Sequence, residues 1–149
     1  MNIDKKKIKL KLINHLLKNG KKQTCETIFL KSLKNLQKSS LKSHQKILKI
    51  AIINSASIFR IVKLKKKKRK KKKSSKEIPT FIFNNFERIS WALKVILTHS
   101  KKQNINKFYQ KLEQEILTCS KNKGNSIDKK IDLNKQILTK KRLFLYYRW

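Results

Sequence analysis

The chain is 149 residues long and carries 41 Lys or Arg against 8 Asp or Glu, a formal charge of +33. One core fits that length, so a single domain over residues 1–149 is expected. Such charge opposes compaction unless a polyanion relieves it, which nucleic acid does with release of counterions; 38% apolar residues in helical periodicity argue against a disordered lysine-rich chain.

Other classes fall away on composition. The longest uncharged stretch, Ile50 to Phe59, is far shorter than the ~20 apolar residues of a bilayer helix, so no membrane span is expected. The opening MNIDKKKIKLKLINHLL has no continuous apolar segment and takes its charge from Lys, unlike a cleavable signal. Cys25 and Cys119 are too far apart for a metal knuckle and fall at apolar helical positions, so they read as small buried hydrophobes. His15, His44 and His99 are isolated, and carboxylates are scarce. Glycine-rich phosphate loops and nucleophile elbows are absent. An enzyme, a cofactor or a small-molecule substrate is therefore not expected.

Ile8, Leu12, Ile13, Leu16 and Leu17 repeat at helical spacing, with Asn19-Gly20 as the stop and Lys21-Lys22 in the turn. A second helix is predicted from about Thr24, with Cys25, Ile28, Phe29, Leu33 and Leu36 on one face. Ser39, Ser40 and Ser43 suit a loop and an N-cap. Ile47, Leu48, Ala51 and Ile52 then mark a third helix ending between Asn54 and Ser57.

The period now changes. IFRIVKL (58–64) and EIPTFIF (77–83) are β-branched and flank KLKKKKRKKKKSSKEIP, in which residues 65–73 are all basic. Two such segments around a polar loop predict a hairpin, with Pro79 on an edge or outside the ladder. Asn84 and Glu87 suit a capped fourth helix with Phe86, Ile89, Leu93, Ile96 and Leu97 on one face. A fifth carries Ile105, Phe108, Tyr109, Leu112 and Ile116, with Asn104 as its cap. A sixth is expected to start at Asp128 and to contain Ile131, Ile137, Leu138 and Phe144. The fold class is mainly α: a six-helix bundle with a protruding basic β-hairpin between helices three and four. Helices occupy about 5–57 and 85–145, the arm 58–83, and the aromatic-basic tail YYRW 146–149.

INHLLKNGKK (13–22) resembles the first-helix motif of bacterial-type small-subunit ribosomal protein seven. ERISWALKVIL (87–97) is similar to that family's helix after the hairpin. LFLYYRW (143–149) resembles its C-terminal ending, and Lys129-Lys130 matches a basic pair ahead of the last helix. The departures are concentrated in the arm and the last helix. The polybasic tract replaces the family's R-R-V-G-G tip, and Asn134, Lys135, Gln136 and Ile137 replace the usual last-helix pattern. Only five arginines (60, 69, 88, 142, 148) occur, and Ile and Asn are plentiful, as in an AT-rich coding sequence.

The resemblance implies a structural constituent of the small ribosomal subunit, a primary rRNA-binding protein that organises the head. Its hairpin would lie near the exit-site tRNA and the mRNA path, and its last helix near the platform and protein eleven. The divergence implies a mitochondrial, organelle-encoded member, with a plastid or a bacterial-type cytoplasm as alternatives.

Phosphate contacts are expected from Lys5, Lys6, Lys7, Lys9 and Lys11, from the turn at Lys21 and Lys22, and from the arm. The arm supplies Lys63, Lys65, Lys66, Lys67, Lys68, Arg69, Lys70, Lys71, Lys72, Lys73 and Lys76. Arg88, Lys94, Lys101, Lys102, Lys129, Lys130, Arg142 and Arg148 complete the set; Arg88, Lys94, Arg142 and Arg148 are equally open to a second reading as solvated surface residues. Trp91 reads as core. Tyr146, Tyr147 and Trp149 suit base stacking, a protein neighbour or the chain's own core equally. The rival functions are a histone-like DNA-packaging protein, reading backbone without sequence, and a polybasic protein on anionic lipid.

Overall fold

The computed structural model describes residues 5–40, 43–65 and 75–146. The elements are α1 (Lys5–Leu16), α2 (Lys22–Ser39), α3 (His44–Ser55), β1 (Phe59–Lys65), β2 (Ser75–Phe81), α4 (Asn85–Lys102), α5 (Phe108–Ser120) and α6 (Asn125–Thr139). A 3-10 helix (Lys141–Tyr146) follows. The architecture is the mainly α one expected, with an antiparallel hairpin between helices three and four.

Burial follows the helical spacing. Leu12, Leu36, Ala51, Ile52, Ala92, Leu93, Ile96, Leu112, Ile116 and Cys119 are all but sealed from solvent. They form a core in which α5 packs against α2, α3 and α4. Burying a Leu or Ile fully contributes ~1.5–3 kcal/mol, so this shared face is the main source of stability. α1 ends where Asn19 and Gly20 take positive φ values of 50° and 71°, as a left-handed helix stop requires.

Several ends differ from expectation. α2 begins at Lys22, ahead of Thr24. Ser43 occupies the N-cap of α3, but its side chain makes no capping bond. α5 begins at Phe108, after Lys107, and leaves Asn104 and Ile105 in the preceding loop. Gly124, at φ 98°, turns the chain so that α6 starts at Asn125. Asp128 thus sits in the first turn, facing the positive helix end without capping it. α6 stops at Thr139 and tightens into the 3-10 helix before Phe144. Leu17, Phe86, Ile131 and Leu138 are exposed, at the margins of their apolar stripes. Asn84 caps α4 as expected, accepting from Phe86 N at 2.8 Å. Trp91 is half-buried.

The ribbon runs in register from Phe59 opposite Phe81 to Lys65 opposite Ser75. Ile82 N donates to Ile58 O at 2.8 Å and extends the ladder beyond its base. Because hydrogen-bonded and non-bonded pairs alternate in an antiparallel ladder, the Ile61–Pro79 pair falls at a non-bonded position. Pro79 therefore removes no ladder bond, as an edge position demands.

Candidate nucleic-acid interface

The ribbon is anchored at its base by side chains from several elements. Arg88, in the first turns of α4, donates Nε to Ile82 O at 2.6 Å. Thr80, Ile78 and Ile82 are buried, so this end of the ribbon belongs to the packed body. Arg60 on β1 reaches Glu87 on α4 at 3.8 Å; both are about half exposed, so solvent and salt weaken the pair. Glu77 on β2 is held by Lys140, just past α6, and by Lys63 across the ribbon at 3.3 Å. The hydrogen bond from Lys140, and then that from Lys63, hold the Glu77 carboxyl below its ordinary pKa.

α1 joins the same region. Lys11 donates Nζ to Phe86 O at 2.6 Å and lies 4.7 Å from the centre of the Phe86 ring. Burial lowers the Lys11 pKa, partly offset by Glu87. Beside it, His15 Nε2 lies 2.8 Å from Ser90 Oγ. Burial first, then the charges of Lys94 and Lys11, lower the His15 pKa. The ring is thus neutral at physiological pH.

The expected contact residues divide by where their charge points. Lys9, Lys21, Lys22, Lys94, Lys101, Lys102, Lys129 and Arg142 are exposed and can meet a polyanion directly, and Lys63 is exposed while paired with Glu77. Lys11, Arg88 and Lys130 are half-buried with a donor already engaged inside the protein. Lys130 Nζ donates to Asn54 O at 2.6 Å, tying α6 to the end of α3, and burial lowers its pKa. Residues 66–73 and Arg148 lie outside the described residues, as do the side chains of Lys5, Lys6, Lys7, Lys65 and Lys76.

Sequence reasoning passed over Arg60, Lys140 and Lys141. The signal was present in the basic triplet Lys140-Lys141-Arg142 at the close of α6, of which only Arg142 was singled out.

Carboxylates do little to cancel the outward charge. Glu77 and Glu87 are engaged with cations at the ribbon base. Glu115 is buried, accepting from Gln103 Nε2 at 2.7 Å and Ser126 Oγ at 2.5 Å. Cys119 packs beside it, its thiol pushed up to about 12 by burial and then by Glu115. Cys25 is buried as well, and both are free thiols. Among the described residues, no cluster of three His, Cys, Asp or Glu could hold a metal, and no helix is long and apolar enough to cross a membrane.

A small helical body with a clamped ribbon and outward-facing lysines is the form of a basic scaffold protein. Residues 2–141 match the family described as Ribosomal protein S7p/S5e, and the chain belongs to that family of structural small-subunit ribosomal proteins. It is 28% identical over 140 residues to small ribosomal subunit protein uS7m of Reclinomonas americana, covering 94% of this chain and 84% of the relative. To uS7 of Vibrio atlanticus it is 27% identical over 145 residues, covering 97% and 88%. To uS7c of Tetradesmus obliquus it is 28% identical over 124 residues, covering 83% and 71%. Its place is thus the ribosome, and its role there is structural.

Proposed function

We propose that the chain is a primary rRNA-binding protein organising the head of the small subunit. The observation that carries this reading is the division of charge. Acidic groups at the ribbon base and in the core have internal partners, while Lys9 of α1, Lys21 and Lys22 of the α1–α2 turn, and Lys94, Lys101 and Lys102 of α4 face outward. Such a surface suits phosphate contacts and recognition of A-form RNA by shape and backbone, since its major groove admits side chains poorly. In this reading the arm approaches the exit-site tRNA and the mRNA path, and the end of α6 approaches protein eleven on the platform. Mitochondrial residence fits the AT-rich bias and the match to uS7m.

Cross-linking in intact ribosomes tests the placement. Adducts to head-domain rRNA are expected, with the chain sedimenting with the small subunit in gradients of purified mitochondria. Sedimentation apart from that subunit, or adducts confined to other rRNA domains, overturns it.

A further inference from the structure

Where α1, α2 and α3 meet, the surface opens into a groove of about 200 Å³. Its floor is apolar, with Ile8, Phe29 and Leu48 buried and Leu33 half-buried beside them. Leu30 forms one lip and is 54% exposed. The rest of the lining is polar: Lys9 on α1, and His44, Gln45 and Lys49 on α3. No described lining residue is acidic, and Glu26, one turn before Leu30 on α2, does not line the groove. Among the described residues, neither Lys9 nor Lys49 has an ion-pair partner.

Size and lining select the occupant. The volume falls below the ~300–1,000 Å³ of pockets that enclose a whole small molecule, and leaves room for one inserted side chain. A nucleobase fits poorly. The Phe29 ring is buried and offers no open face for stacking, and a base's polar edge would lie unpaired against Ile8 and Leu48. An aliphatic side chain strands nothing there. The ammonium groups of Lys9 and Lys49 repel a basic partner and favour one that carries carboxylates. A lone exposed leucine is ordinary, but Leu30 adjoins a buried apolar floor and widens it. We propose that this groove receives one aliphatic side chain from an acidic segment of another small-subunit protein, with the flanking carboxylates set against Lys9 and Lys49. Lys49 lies outside the set expected to meet phosphate, so the inference goes beyond the RNA-binding reading and does not depend on placement in the head.

Photo-cross-linking in assembled small subunits tests it, with benzoylphenylalanine in place of Gln45, an exposed position in the groove lining. Mass spectrometry is expected to find the adduct on another protein, in a stretch of net negative charge that contains an aliphatic residue. Leu30→Asp sets a charge beside the apolar floor and should cut the adduct per incorporated chain roughly tenfold, the least that burying one leucine contributes. Lys9→Glu is the second variant. It reverses an exposed charge away from the core, and should lower the adduct without lowering Tm. An adduct on rRNA, on a basic protein segment or on this chain's own residues overturns the proposal. So does an absent adduct, or a yield that either variant leaves unchanged. An rRNA adduct at Gln45 would strike the groove and spare the head placement, whereas rRNA adducts confined to other domains would strike the placement alone.

Discussion

Arg88 and Ile82 are joined by a 2.6 Å hydrogen bond from guanidinium Nε to main-chain oxygen, although they lie on opposite sides of the ribbon-to-helix junction. With the Asn84 cap between them, the bond sets the angle at which the chain leaves the ribbon and enters α4. Arg88→Ala should lower the stability of the free protein by about 1.5 kcal/mol, the lower end for a hydrogen bond to a charged group. Denaturant unfolding without RNA measures it. Unchanged stability with weakened RNA binding would instead make Arg88 a phosphate contact only.

Glu115 is the buried acid of the core, gripped by Gln103 and Ser126. Glu115→Leu strands both partners, and a stranded buried donor costs ~1–3 kcal/mol. Glu115→Gln can still accept from Gln103 and turn its own amide toward Ser126, so it should lose less. Urea melts of the two variants rank them; equal stability of the Leu variant and the parent would refute the account.

His15 makes stability depend on pH. Its folded pKa lies below the ordinary 6.5, so the unfolded chain binds the proton first as pH falls. Its contribution is present above about pH 6.5 and is lost as the pH drops toward the folded value. Tm should therefore decline on acidification from neutrality, and less steeply in His15→Gln. His99, lowered chiefly by burial, shifts stability in the same direction and accounts for part of the slope that remains.

Assembly should be strongly salt-sensitive. Each phosphate neutralised contributes about 0.7–0.9 to the log–log salt slope. Deleting residues 66–73, all basic, should flatten that slope by this amount for every phosphate the shortened arm leaves unneutralised. Binding to small-subunit RNA between about 50 and 200 mM salt measures it. Main-chain exchange in Ile58–Arg60 and Thr80–Ile82 should not change, because the clamps of Arg88 and Lys140 remain.

Local chemistry was legible from residue order, and distant partners were not. The Asn84 cap, the Asn19-Gly20 stop and the switch to β-branched segments at Ile58 depend on near neighbours, and each stands where its spacing predicts. Asn104 and Asp128 are good capping residues passed over for Lys107 and Gly124, because packing of α5 and the left-handed turn at Gly124 set the helix starts. Arg88, Lys11 and Lys130 looked like any other cation. Lys11 and Lys130 turn inward to carbonyls 75 and 76 residues away, which no local pattern encodes. The groove beside Leu30 was likewise invisible, since it exists only where α1, α2 and α3 meet.

The position of Pro79 also matters to the packed body. At a non-bonded pair the amide of β2 would point away from β1, and Ile78, Pro79 and Thr80 are all buried on that strand. A buried amide hydrogen without a partner costs about as much as a lost hydrogen bond. Proline carries no such hydrogen. The same residue that costs the hairpin nothing within its own pairing therefore also spares the body a stranded donor.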